Sequence, residues 1–126
     1  MRGGRAKCWE EYDAQKGREG KGRERNQNMH TIAEWIKKVH QTATDKGWHD
    51  PSPPLPTQLL NVHSEVSEAS EALRRGEIEL FREELADIVI RVFDICGSEK
   101  IDLSAEIAKK DATNAKRPYR HGGKTY

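Results

Sequence analysis

Apolar residues in this chain recur at spacings of three and four, in separate stretches, and nowhere in the apolar–polar alternation of a strand. Ile32, Trp35, Ile36 and Val39 form one such stripe. Leu59, Val62, Val66, Ala69 and Leu73 form a second, and Phe81, Leu85, Ile88, Val92 and Ile95 a third. Leu103 and Ile107 begin a shorter fourth. This is the period of an α-helix with one buried face, and the absence of strict alternation removes the signal for half-buried strands. The chain therefore reads as all-α, a bundle of about four helices.

Punctuation residues place the boundaries. Helix 1 is expected over about Thr31 to Lys46, with Gly47 as its terminator. The following GWHDPSPPLP carries four prolines and reads as an ordered loop or extended connection. Helix 2 is expected over Thr57 to Arg75, broken by Gly76. Helix 3 is expected over Ile78 to Cys96, ended by Gly97. Asp102 is the expected N-cap of helix 4.

Only 34% of the 126 residues are hydrophobic, and another 34% are charged. One domain fits this length. So small an apolar supply suggests that the helices bury a remaining face against a partner chain. Residues 1–28 are rich in Gly, Arg, Lys and Glu, with Trp9 and Tyr12 their only large anchors. They cannot bury enough surface to offset ordering entropy, so they read as a disordered or loosely docked basic leader before a domain over 29–126.

A net charge of +1 and the interspersed acids of the leader argue against nucleic acid as a partner. No run is long and apolar enough for a membrane span, and the N-terminus lacks the apolar segment of a secretory signal. Cys8 lies in the leader and Cys96 on an apolar stripe, so two free thiols in a reducing cytoplasm are expected.

Two acidic pairs carry the chemistry. Glu65 and Glu68 are three apart on helix 2, and Glu84 and Asp87 are three apart on helix 3. Each pair shares a helix face and borders the apolar stripe rather than opposing it. Four carboxylates edging a buried seam repel one another and are expensive to desolvate without cations. Mg²⁺, with Mn²⁺ as a substitute, prefers such oxygen ligands and would bridge phosphate oxygens. A solvated charged face is the plainer account of either pair alone. A di-iron carboxylate bundle is disfavoured because no ExxH motif is present. His63 reads as a surface or interface histidine. Arg91, one turn after Asp87, is expected to pair with the acidic cluster. Trp35 belongs to the core stripe, whereas Trp48, just beyond helix 1, suits contact with a base or sugar.

EVSEASEALRRG followed by EELADIVIRVFDICG resembles the paired acidic motif of the MazG-like nucleotide pyrophosphohydrolases, of the all-α NTP pyrophosphatase superfamily. The ending KKDATNAKRPYRHGGK and the GWHD before the proline-rich loop are similar to the same family. The likeness runs from about Ile32 to Lys124 and leaves 1–28 unexplained. It implies Mg²⁺-dependent hydrolysis of (d)NTP to (d)NMP and pyrophosphate, in a dimer or tetramer, as nucleotide-pool house-cleaning. It implies Glu65, Glu68, Glu84 and Asp87 as metal ligands, one of them also orienting or deprotonating the attacking water.

The resemblance also implies that Lys110, Asn114 and Arg117 contact phosphate or the metal site. Lys110 and Asn114 share a helix face, and Arg117 follows just past its end. Lys109 and Lys116 read instead as a basic helix terminus meeting the helix dipole. Tyr119, Arg120, His121 and Lys124 lie in a tail suited to closing over the nucleotide or reaching a neighbouring subunit, with Tyr119 a candidate substrate contact. Two alternatives stand beside this reading. One is a phosphoribosyl-ATP pyrophosphohydrolase, which shares the acidic motif but which the RPYRHGGK ending disfavours. The other is a non-catalytic helical interaction or regulatory module.

Overall fold

The computed structural model describes residues 29–123, and these are helical with no strand among them. Helix α1 spans Ile32–Asp45, α2 Leu55–Arg75, α3 Ile78–Ser98 and α4 Leu103–Ala115, followed by a single turn, α5, at Arg120–Gly123. The expected all-α bundle of four main helices is the observed architecture. The leader 1–28, with Cys8, Trp9 and Tyr12, and Lys124 in the tail lie outside the described residues.

Local chemistry accounts for the ends. Thr31 and Glu34 form a reciprocal capping box: Glu34 N–H donates to Thr31 Oγ1 at 3.2 Å, and Thr31 N–H donates to Glu34 Oε2 at 2.6 Å. Gly47 follows α1 at φ +80°. Helix α2 begins two residues earlier than expected, at Leu55 with Pro54 as its N-cap. Proline fits the first turn because the missing N–H has no partner there anyway. Asp102 caps α4 by accepting from Ala105 N–H at 3.0 Å.

One boundary differs in kind. Gly97 does not end α3; the helix runs through it to Ser98, and Lys100 at φ 55° makes the turn. The reason is packing across to α1. A Cβ on Gly97 would stand 2.5 Å from His40 Cβ, so the glycine lets α1 and α3 approach closely at this point.

Helix α3 is the centre of the bundle. It packs along α2, to which the short Gly76–Glu77 turn joins it, and along α1, which also touches α4. The buried apolar residues are few and small, namely Ala69, Ala72 and Cys96. Burial pushes the Cys96 thiol pKa up, so this cysteine is a packed hydrophobe rather than a nucleophile.

The expected core stripes are only partly covered. Leu59, Val66 and Leu73 on α2 are 57%, 47% and 44% exposed, and Leu85 on α3 is also exposed. The stripes are apolar as read, but among the described residues no further helix lies over this side of the α2–α3 pair.

Candidate metal and nucleotide site

The acidic pairs meet where α2 and α3 run side by side. Oxygens of Glu65, Glu84 and Asp87 lie within 4.8 Å of one another. Glu65 and Glu84 are buried at 9% and 8% exposure, while Asp87 is open to solvent. Burial pushes the Glu84 carboxyl upward. The nearby charges of Glu68, Glu65 and Asp87 push it the same way, and a hydrogen bond with Glu65 adds to the effect. This is the response of one carboxyl buried among several others. Glu68 is felt electrostatically but sits outside the tight group; it is exposed, and Ser64 Oγ donates to its Oε1 at 3.4 Å.

Arg91 supplies compensating charge. Its guanidinium meets Glu65 Oε1 through Nε at 3.0 Å and Nη2 at 2.9 Å, the pairing expected from its place one turn beyond Asp87. An all-oxygen set of three carboxylates suits Mg²⁺ or Mn²⁺ by hardness. Glu65, Glu84 and Asp87 are therefore the residues able to hold such an ion, with Glu68 at the rim.

Glu65, Asp87 and Arg91 also line a cavity of about 470 Å³, in the size range of small-molecule sites. Its opposite wall is α1 and the loop beyond it. Trp35 and Trp48 bring aromatic faces, Lys38 and Lys46 positive charge. Lys38 Nζ stands 5.2 Å from the centre of the Trp35 ring. Trp48 is 64% exposed, in keeping with a residue available to a ligand. Trp35 is half-buried and lines the cavity, so its role is not confined to the core stripe.

Gln58 secures the proline loop, its Nε2 donating to Pro53 O at 2.9 Å. Its Oε1 is buried with no partner among the described residues.

The proposed phosphate-gripping residues stand apart. Lys110, Asn114, Arg117 and Tyr119 are exposed on α4 and just beyond it, and none lines the cavity of the single chain. Lys109 pairs with Glu106 at 3.0 Å, a salt bridge rather than a dipole contact alone. His63 is exposed on α2, as expected.

Several cavity residues escaped the sequence reading although a signal was present. Trp35, Lys38, Val39, Thr42 and Lys46 follow one another at spacings that keep them on one face of α1. Asp94 continues the series Glu84, Asp87, Arg91 by one more turn of α3. It accepts hydrogen bonds from two imidazoles, His40 and His49. No signal in the sequence announces that partnership, because His49 comes from the loop and His40 from α1. No family model, curated protein or solved structure matches the chain.

Proposed function

We propose that the chain is a divalent-cation-dependent nucleoside triphosphate pyrophosphohydrolase, cleaving (d)NTP to (d)NMP and pyrophosphate. The observation that carries this reading is the convergence of Glu65, Glu84 and Asp87 at the edge of a nucleotide-sized cavity. Its far wall offers aromatic and cationic side chains, and such a wall suits a base at one end and phosphates at the other. Bound Mg²⁺ or Mn²⁺ would offset the carboxylate repulsion, polarise the phosphoanhydride and lower the pKa of a water.

The residues divide the remaining work. Glu65, Glu84 and Asp87 would supply the cation-binding oxygens, and a bound cation would oppose the upward push that burial and the neighbouring carboxylates give the Glu84 carboxyl. One carboxylate of this set or Glu68 orients the attacking water. Arg91, Lys38 and Lys46 offer positive charge to the phosphates, and Trp48 with Trp35 offers stacking surface to the base. Lys110, Asn114, Arg117 and Tyr119 belong to this reading as contacts made from a second copy or by closure of the tail, since in one chain they stand outside the cavity.

The exposed apolar stripe of Leu59, Val66 and Leu73 favours a second reading, a helical module whose main task is association. One experiment separates the two. The full chain is incubated with a panel of NTPs and dNTPs, with Mg²⁺ or with chelator, and pyrophosphate is measured. Mg²⁺-dependent release that falls more than about 100-fold in Asp87→Asn and Glu84→Gln supports the enzyme; the threshold is the upper end of what loss of a group supporting a metal ligand brings. Release unchanged by both substitutions overturns the site, and no release from any nucleotide favours the module.

A further inference from the structure

His40, His49 and Asp94 converge from three places in the chain, two turns along α3 from Asp87. His40 is on α1, His49 on the loop after it and Asp94 on α3. His40 Nδ1 lies 2.8 Å from Asp94 Oδ1, and His49 Nε2 lies 2.9 and 3.0 Å from the two Asp94 oxygens. The two rings meet edge to face with centres 4.8 Å apart. The side chains are 31%, 9% and 21% exposed, and His49 and Asp94 line the cavity.

The geometry points to a second metal site at His40, His49 and Asp94, selective for a borderline transition-metal ion of the Zn²⁺ and Co²⁺ kind. Two imidazole nitrogens and a carboxylate oxygen all lie within 4.8 Å of one another. That donor set is the one such ions prefer, and it is poorly suited to Mg²⁺, which favours oxygen and retains its water. The carboxylate group of Glu65, Glu84 and Asp87 has the reverse preference, so the two clusters would sort cations by chemistry.

The surroundings of His49 are those of a metal ligand. Its other nitrogen, Nδ1, lies 2.9 Å from Ser52 Oγ. When Nδ1–H donates to that hydroxyl, the Nε2 lone pair faces Asp94 and is free to bind an ion; a ligating imidazole is generally held by such a bond on its other nitrogen. Without an ion the ring takes the other tautomer, donating Nε2–H to Asp94 and accepting from the Ser52 hydroxyl. The switch requires little movement. Ligand atoms around a tetrahedral zinc are separated by roughly 3.3 Å, so the present contacts open by about half an ångström. Three protein ligands leave one coordination position toward the cavity. An ion there would clamp the loop carrying His49 and Ser52 to both α1 and α3.

This inference does not depend on the hydrolase reading, because it concerns binding at different side chains. The full chain is titrated with Co²⁺ in excess Mg²⁺, with visible absorption recorded. Stoichiometric uptake with the intense d–d bands of low-coordinate, nitrogen-ligated Co²⁺ is expected, reversed by Zn²⁺. His49→Ala and Asp94→Asn are expected to abolish the bands, whereas Glu84→Gln retains them. Ser52→Ala, which removes only the supporting hydroxyl, is expected to weaken Co²⁺ binding about tenfold. Circular dichroism checks that each variant is folded, and Ser52→Ala keeps the test open if a ligand variant is not. Absence of the bands in the wild type overturns the proposal. So does their survival in folded His49→Ala or their loss in Glu84→Gln alone, either of which would place Co²⁺ at the carboxylates.

Discussion

Arg91 presents both Nε and Nη2 to the same oxygen of Glu65, at 3.0 and 2.9 Å. The guanidinium thus occupies part of the position that a cation held by Glu65 would take, while lending the crowded carboxylates a positive charge. Arg91 and a divalent ion are competitors for one oxygen. Arg91→Ala is expected to tighten Mn²⁺ binding roughly tenfold, the scale of removing one like charge across a few ångströms of partly hydrated protein. Its pyrophosphate release is expected to fall, because a phosphate contact is lost with the same side chain. Calorimetric titration with Mn²⁺ measures the first effect and steady-state kinetics the second. Weaker Mn²⁺ binding in the variant would mean that Arg91 positions Glu65 for the ion rather than competing with it.

Glu84 gives stability a definite pH dependence. Its pKa in the folded chain lies above the ordinary value of 4.5, so between those two limits the folded state binds more protons than the unfolded one. The contribution is therefore destabilising as pH rises through that window, flat above it, and nil below 4.5 where both states are protonated. In chelator, Tm is expected to fall with rising pH across the window. In Mg²⁺ the ion binds the ionised carboxylates, so the stabilisation it brings is expected to grow over the same range. Glu84→Gln should flatten both trends. Thermal melts across a pH series, with chelator and with Mg²⁺, test this; a Tm that climbs with pH in chelator to the same extent in wild type and Glu84→Gln would show that other groups govern the window.

Gly97 holds no side chain because His40 fills the space. Gly97→Ala inserts a methyl 2.5 Å from His40 Cβ and 2.7 Å from Cγ. Overpacking of this kind costs about 1–3 kcal/mol, and the gain in helix propensity from Gly to Ala offsets about 1 kcal/mol of it. A net loss of up to about 2 kcal/mol is expected in urea denaturation. The displaced His40 ring should also lose its Asp94 contact, visible as a shifted imidazole NMR resonance. A variant more stable than wild type would show that α1 retreats from α3 without penalty.

The exposed row of Leu59, Val66 and Leu73 carries the proposed association of copies. Residues seven apart return to nearly the same side of a helix, which makes the row a seam suited to a second helix. Wild-type protein is expected to sediment as a dimer or larger assembly. Val66→Glu places a charge in the middle of the seam and should shift the population to monomer at micromolar concentration. Equal sedimentation of wild type and variant as monomers would remove self-association from the reading.

The helices were legible because their information is local. Stripes at helical spacing, the Thr31–Glu34 capping box and the Asp102 cap all act within a few residues of themselves, and the helices formed where those signals stand. Gly97 was misread for the opposite reason. The partner that requires glycine there, His40, is fifty-seven positions away in sequence and beside it in space. The carboxylate site was legible in the same partial way. Spacing put Glu65 with Glu68 and Glu84 with Asp87 on helix faces, but how far each reaches inward is decided by the packing of α2 on α3. That packing draws Glu65, Glu84 and Asp87 together and leaves Glu68 at the rim. The α1 wall and the His40–Asp94–His49 cluster depend wholly on tertiary contacts.

Helix α3 serves two neighbours from nearly one face, setting Glu84 and Asp87 beside Glu65 of α2 and, two turns beyond Asp87, Asp94 beside His40 of α1. The acids are assembled from α2 and α3 alone, whereas Trp35, Lys38 and Lys46 belong to α1 and Trp48 to the loop after it. The acidic side and the aromatic, cationic side of the cavity are thus separate pieces of chain joined by a common spine. On the proposed function, exchange of α1 and its loop alone would alter which nucleotide is accepted while the acidic side is carried over unaltered.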